Sequence, residues 1–177
     1  MSYQDIISVG LWVFWVMWAL ALLLIVTWGL SILFGAPFLP TLKPERLRAM
    51  DLLDLKPGQV FVDLGSGDGV MLVLAAERGL KAVGYEINPF LWFYSWLRTR
   101  RYGRRVKVKM TSYWPVDLSD ADGIFVFLIT HRMKHLDRIL TKAAKAKGKK
   151  LKVVSNAFQI PGRKPLKKSG AMFLYEY

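Results

Sequence analysis

From Ile6 to Leu42 the chain has no charged side chain, and every lysine and arginine lies at Lys43 or beyond. Within that stretch IISVGLWVFWVMWALALLLIVTWGLSILF, Ile6 to Phe34, runs for 29 residues. About 20 apolar residues cross a bilayer as a helix, so this segment is long enough to span with tilt or with an overhang at the interface. A cleaved signal peptide would start basic and have a shorter apolar core, whereas Asp5 is the only charge ahead of this run. The expectation is an uncleaved single-pass anchor with its linker over residues 1–42 and a separate domain over residues 43–177. Lys43, Arg46 and Arg48 follow the span and no basic side chain precedes it. The positive-inside rule then puts the amino terminus outside and the domain in the cytoplasm, or in the matrix of a mitochondrion. Trp12, Trp15 and Trp18 are either interface anchors or packing bulk, and their spacing does not decide between the two.

The 177 residues leave room for one modest domain besides this appendage. Lys+Arg 26 against Asp+Glu 13 gives a net charge of +13. No cysteine is present, which excludes disulfides, thiolate metal sites and a cysteine nucleophile. Two histidines argue against a protein-built zinc site, and no metal is expected.

Beyond the span, GAPFLPTLKP, Gly35 to Pro44, carries three prolines and reads as a linker. ERLRAMDLLDL then places Leu47, Met50 and Leu53 on one helical face. QVFVDL, Gln59 to Leu64, reads as a first strand, Val70 to Arg78 as a helix, and KAVGYEI, Lys81 to Ile87, as a second strand. Asn88-Pro89 supplies a cap followed by proline at the first helical position, and that helix runs to Tyr102. Further strands are expected at Val106 to Met110, Gly123 to Ile129 and Leu151 to Asn156. A helix with Met133, Leu136, Leu140 and Ala143 on its apolar face lies between the last two, and a terminal hairpin turns at Ser169-Gly170. Strands alternating with helices before a hairpin mean an α/β domain with a mostly parallel sheet and an antiparallel C-terminal end.

VDLGSGDGV, Val62 to Val70, closes the first strand with three glycines at alternate positions. A strand, a glycine turn and a helix allow close approach of backbone to a nucleotide. The dinucleotide pattern GxGxxG would need glycine where this chain has Val70. Asp63, read as part of the turn, adds a carboxylate facing the ligand, which suits a cationic or hydroxyl-bearing ligand better than a pyrophosphate. S-adenosylmethionine, with an ammonium, a sulfonium and no phosphate, answers that description. An acid about 20 positions on should close the second strand and hold ribose hydroxyls; Glu86 stands there, 21 residues after Gly65.

APFLPT, VDLGSGDG, GYEINPFLWFYS and VDLS together resemble the small membrane-associated lysine methyltransferases related to the enzyme that methylates the mitochondrial ATP synthase c-subunit. The resemblance covers about residues 36–177 and implies a Rossmann-like class I methyltransferase sheet, with the apolar helix ahead of it. It implies that Asp63, Gly65 and Gly67 line the methionine end of S-adenosylmethionine and that Glu86 takes the ribose, with Ser66 and Ile87 as further cofactor-binding positions. The family often has an acid after the third strand to accept the adenine amino group; in TSYW that position is Ser112, with the Tyr113 backbone beside it. It also often has a proline near the end of the fourth strand, where this chain reads FLITHR.

Methyl transfer from a sulfonium is an in-line displacement that needs no covalent enzyme intermediate and no metal, so alignment and desolvation do most of the work. A lysine acceptor must first lose its proton, which a low-dielectric pocket favours. No general base is assigned. Phe38 and Trp114 are candidate walls of a lysine channel, and His131 is either a residue lining the substrate mouth or an ordinary helix-start residue. Methylation at pyrimidine C5 usually requires the cysteine that is missing. The Asn/Asp-Pro-Pro-aromatic run of exocyclic-amine methyltransferases is absent from Leu128 to His131. The basic runs Arg98 to Lys109 and Lys142 to Lys152 keep RNA as a rival partner, although a solvated face or contact with anionic lipid is simpler. The expected function is methylation of lysines on membrane or membrane-adjacent proteins. The alternatives are a methyltransferase for a lipid or small amphiphile, and an S-adenosylmethionine-binding module without catalysis.

Overall fold

The computed structural model describes residues 3–34, 39–112, 114, 116–128 and 130–177, with backbone alone at residues 3, 30–34, 130 and 131. Helix α1 (Tyr3–Phe34) comes first. Among the described residues, Gln4–Gly29 is the one helical stretch long and apolar enough to cross a bilayer, by length and composition. Its side chains add nothing to the buried core, which draws only on residues from Ala49 onward.

The rest of the chain alternates α2 (Lys43–Leu53), β1 (Val60–Leu64), α3 (Val70–Glu77), β2 (Lys81–Glu86), α4 (Pro89–Thr99), a 3-10 turn (Arg100–Arg105), β3 (Val106–Met110), β4 (Gly123–Val126), α5 (Thr130–Lys147), β5 (Lys152–Asn156), β6 (Lys167–Ser169) and β7 (Met172–Glu176). The strands form one sheet in the order β3-β2-β1-β4-β5-β7-β6. Pairing is parallel from β3 through β5 and antiparallel where β7 meets β5 and β6. This is the α/β sheet expected from the sequence, with its antiparallel end built by the hairpin at Ser169-Gly170.

The central strands β1, β2, β4 and β5 are covered on both faces because alternate side chains enter different apolar layers. Phe61, Ala82, Phe125 and Val154 meet Ala49, Met50 and Leu53 of α2 and Leu72 and Ala75 of α3 on one side. On the other, Val62, Leu64, Ile124, Val126 and Val153 meet Met133, Leu136, Leu140 and Ala143 of α5, the four residues whose spacing marked that face.

Apart from shifts of one residue at the ends of β1, α3, β2 and β5, the structure departs from the sequence reading at α2, α4 and β4. Lys43 and Pro44, read as linker, are the first two residues of α2, where proline is tolerated because the first-turn N–H groups have no helical partner. Leu47 does not share the inner face of α2; Ala49 and Leu52 are buried with Met50 and Leu53, and Leu47 is exposed. α4 ends at Thr99 instead of Tyr102, the 3-10 turn taking over up to the kink at Gly103. β4 stops at Val126, and its expected last residue, Ile129, lies outside the described residues, as do Phe38 and Tyr113.

Candidate functional site

The alternation that builds the core also gathers the acids. Phe61 and Ala82 pack against α3, so Asp63 and Glu86, displaced from them by two and four residues, project to that same side at the carboxyl ends of β1 and β2. Asp63 falls inside the strand expected over Gln59 to Leu64, not in the turn to which the ligand reading also assigned it. It is a residue of β1, in register with Gly84 of β2 and Phe125 of β4, and is buried. Being inside a central strand removes it from water, and desolvation, followed by the negative charges of Glu86 and Asp68, pushes its carboxyl well above the usual carboxylate range. Among the described residues no group donates a hydrogen bond to it.

Glu86 closes β2 and is tied down at both oxygens. Oε2 accepts from the Gly67 N–H at 2.8 Å and Oε1 from the Asn88 N–H at 2.8 Å. Burial raises its pKa, partly offset by the backbone N–H groups of Asn88, Gly67 and Ile87. Each oxygen keeps a lone pair beyond these bonds. The Asn88 side chain in turn caps α4, accepting from the N–H groups of Phe90 and Leu91. A single short loop thus orients Glu86 and starts the next helix.

The glycine turn is tied to β2 as well: the N–H groups of Gly65 and Ser66 both donate to the Tyr85 carbonyl, at 3.0 and 2.9 Å. Gly65 has φ +96° with open space where a Cβ would be, so it leaves the turn's outer side bare. Gly69, at φ +76°, faces the opposite constraint, since a Cβ there would lie 2.3 Å from Ser95 Oγ on α4. Asp68 fixes the same junction through Arg98 at 2.8 Å, and Arg98 also reaches the Tyr94 hydroxyl at 2.9 Å.

The Ser66 hydroxyl is buried without a hydrogen-bond partner among the described residues, and it is turned onto β2, where a Cβ on Gly84 would be 2.7 Å from it. Ile87 is exposed on the rim beside Glu86. Ser112 follows β3, whose end is pinned to this rim by the Thr111 N–H donating to the Glu86 carbonyl at 3.1 Å; its Oγ accepts from the Trp114 N–H at 3.4 Å. Trp114 is half-buried against the α5-side core, edge-on to His135 at 4.6 Å between ring centroids and with the Arg132 guanidinium 5.8 Å from its ring. The side chain of His131 lies outside the described residues. Sequence reasoning missed Gly84, Ser95 and His135. A glycine inside a strand marks close approach and signalled Gly84, whereas nothing local marks the other two.

Known structures share this arrangement. An RNA methyltransferase from Salinibacter ruber, solved in complex with S-adenosyl-L-homocysteine, superposes with a TM-score of 0.68 over 78% of this chain and 92% of its own, at 26% identity. A SAM-dependent O-methyltransferase from Thermotoga maritima shares the fold at a TM-score of 0.56 over 71% of this chain and 48% of its own, at 19% identity. The sheet order with its glycine turn and β2 acid is that of the class I S-adenosylmethionine-dependent methyltransferase fold. Within that class, residues 63–167 match the ANTKMT methyltransferase domain, and the chain belongs to that family. It is 33% identical to the human lysine N-methyltransferase of the ATP synthase c-subunit over 60% of this chain and 46% of that protein. To the mouse adenine nucleotide translocase lysine N-methyltransferase it is 34% identical over 66% of this chain and 51% of that protein. The protein-lysine N-methyltransferase of Saccharolobus islandicus is 30% identical over 73% of this chain and 81% of its own. The chain therefore spans about half the length of the human and mouse relatives.

Proposed function

We propose that this chain is a membrane-anchored, S-adenosylmethionine-dependent protein-lysine N-methyltransferase acting on membrane or membrane-adjacent proteins. The observation that carries the reading is the pair of buried carboxylates on either side of a bare glycine turn, one of them without any donor among the described residues. Two buried acids with raised pKa values suit a ligand that brings cationic and hydroxyl groups. Asp63 would meet the ammonium and Glu86, through its remaining lone pairs, the ribose hydroxyls. Gly65 and Gly67 would allow backbone approach, with Ile87, Ser112 and Tyr113 at the adenine side. Phe38, Trp114 and His131 are proposed for the acceptor side.

Bound S-adenosylmethionine supplies a methyl group on a sulfonium, which leaves as a neutral thioether when an amine nitrogen attacks in line. The chain's own contribution is to hold that methyl group fixed at the sheet's carboxyl edge and to exclude water around it, disfavouring the ammonium form of the incoming lysine. The product is an N-methylammonium, and the one proton released overall is the one the lysine gives up before it attacks. Membrane selection is supported by α1 and by the names of the human and mouse relatives, whose substrates, the ATP synthase c-subunit and the adenine nucleotide translocase, are membrane proteins. Only eight residues, 35–42, separate Phe34 from Lys43, and even fully extended they reach about 30 Å. Acceptor lysines are therefore expected close to the bilayer surface.

Detergent-solubilised protein incubated with labelled S-adenosylmethionine and native membranes is expected to place the label on protein lysines. Label in the lipid extract would replace this reading with a lipid methyltransferase, label in added RNA with a nucleic-acid enzyme, and cofactor binding without turnover with a binding module.

Burial also makes cofactor binding depend on pH. The folded pKa of Asp63 is raised, so its contribution to the stability of the ligand-free fold is complete below the unfolded value and is lost as pH rises through the folded one. A bound ammonium favours the ionised carboxylate. Binding in mild acid is therefore expected to release up to about one proton and to tighten as pH rises. Calorimetry in two buffers of different ionisation enthalpy measures this. Asp63→Asn should abolish the release, and an unchanged release in that variant would take Asp63 out of the ammonium site.

A further inference from the structure

Helix α4 is built inside out. Its buried positions are Ser95 and Thr99, at 0% and 3% exposure, while Phe90, Phe93, Trp96 and Leu97 stand 44%, 53%, 44% and 40% exposed. Close packing explains the polar inner face. Ser95 lies so near Gly69 that no larger side chain fits between the helix and the turn, and the Thr99 hydroxyl is satisfied within the helix by the Ser95 carbonyl at 2.7 Å. Among the described residues none buries the apolar outer face, where Phe93 and Trp96 stack with ring centroids 5.8 Å apart.

That face has a strongly cationic border. The 3-10 turn that follows exposes Arg100, Arg104 and Arg105. On the α2 side, Arg98 and Arg101 help to line a cleft of about 450 Å³ together with Lys43 and Arg46, against the one carboxylate of Glu77. Large aromatic and aliphatic groups edged by arginines make a surface complementary to the anionic interface of a bilayer, apolar below and phosphate-bearing above. The same chain carries α1, joined to α2 by residues 35–42, so such a surface is within reach.

We propose that α4 is a second membrane contact: Phe90, Phe93, Trp96 and Leu97 enter the acyl boundary of an anionic leaflet, and the Arg100–Arg105 turn holds lipid phosphates. The proposal rests on the membrane-anchor reading for its geometry but has its own readout. Its consequence concerns the active site, because α4 begins at Pro89, just beyond Glu86. Seating the helix in the interface would hold the cofactor end of the sheet at the membrane surface and leave the domain little freedom to swing on its linker.

The absence of cysteine makes the test direct, since one introduced thiol carries one probe. Full-length Phe93→Cys and Leu97→Cys proteins, with Lys145→Cys on α5 and Leu22→Cys in α1 as references, are labelled with an environment-sensitive fluorophore. They are reconstituted in phosphatidylcholine vesicles with and without phosphatidylglycerol. Lipids carrying a nitroxide near the headgroup are expected to quench the α4 probes several-fold more than the α5 probe, and less when phosphatidylglycerol is omitted or Arg104 and Arg105 are both changed to Glu. Quenching at α4 no greater than at α5 would overturn the proposal. If the α1 probe were quenched by lipids carrying the nitroxide midway down the acyl chain the anchor would stand alone, and if it were not, both readings would fall. Shielding of the α4 probes that persists in lipid-free detergent, or vanishes when the protein is diluted among lipids, would assign the face to a second copy and also overturn the proposal.

Discussion

Glu86→Ala is expected to weaken S-adenosylmethionine binding by roughly 10- to 150-fold, the equivalent of about 1.5–3 kcal/mol for hydrogen bonds to a charged group. Two losses combine. The ligand loses the acceptor proposed for its ribose, and the Gly67 N–H, which donates to Oε2 at 2.8 Å, loses the partner that shapes the turn. Glu86→Gln separates them, because one amide oxygen can still accept while the amide nitrogen then faces a backbone donor. Its affinity should fall between wild type and Glu86→Ala. Titration calorimetry with S-adenosylmethionine and S-adenosylhomocysteine checks the series, and thermal melts of the ligand-free proteins show whether the fold is intact. Wild-type affinity in Glu86→Ala would mean that the ligand does not reach the end of β2.

Gly69→Ala should lower stability and cofactor affinity together. The added Cβ meets two obstacles. A left-handed backbone at φ +76° costs a non-glycine residue about 1–2 kcal/mol. Overlap with Ser95 Oγ at 2.3 Å adds a packing term of about 1–3 kcal/mol. Because α4 and the turn are held together at this point and again by Arg98 and Asp68, relief by outward movement of the helix would drag the turn away from Glu86. A double-mutant cycle with Ser95→Gly distinguishes the contributions: the second change should restore the steric part and leave the backbone part. If Gly69→Ala alone melts within about 0.5 kcal/mol of wild type, as an ordinary surface change would, the close packing of α4 on the turn is not under load in solution.

Local patterns carried much of this protein. The uncharged run beginning at Ile6 required a segment unlike the rest, since 29 consecutive uncharged, mostly apolar residues satisfy a helix in lipid and cannot alternate as a half-buried strand. Asn88-Pro89 marked the start of α4 to the residue, because a side-chain acceptor followed by a fixed φ is sufficient to begin a helix. Met133, Leu136, Leu140 and Ala143 declared the inner face of α5 by spacing alone. The two acids and the glycines between them were legible as one constellation, because their separation is set by the length of a strand-turn-helix-strand unit.

Other features depended on what lies across the fold. That Asp63 is buried and without a donor among the described residues follows from its register with Gly84 and Phe125, neighbours 21 and 62 residues away in sequence. Leu47 fitted the helical spacing of α2 yet is exposed, since the sheet meets that helix along Ala49, Met50, Leu52 and Leu53. α4 shows the difference most plainly. Its sequence, PFLWFYSWLRT, offers aromatic residues for any core, and periodicity would bury them. The glycine turn approaches so closely at Ser95 that only a small residue fits there, so Phe90, Phe93 and Trp96 face outward while Trp92 stays half-buried against β3, its indole N–H donating to the Val108 carbonyl at 3.1 Å. The sequence determined that a helix forms there; the tertiary structure decided which side of it faces in, because space between packed elements belongs to neither element alone.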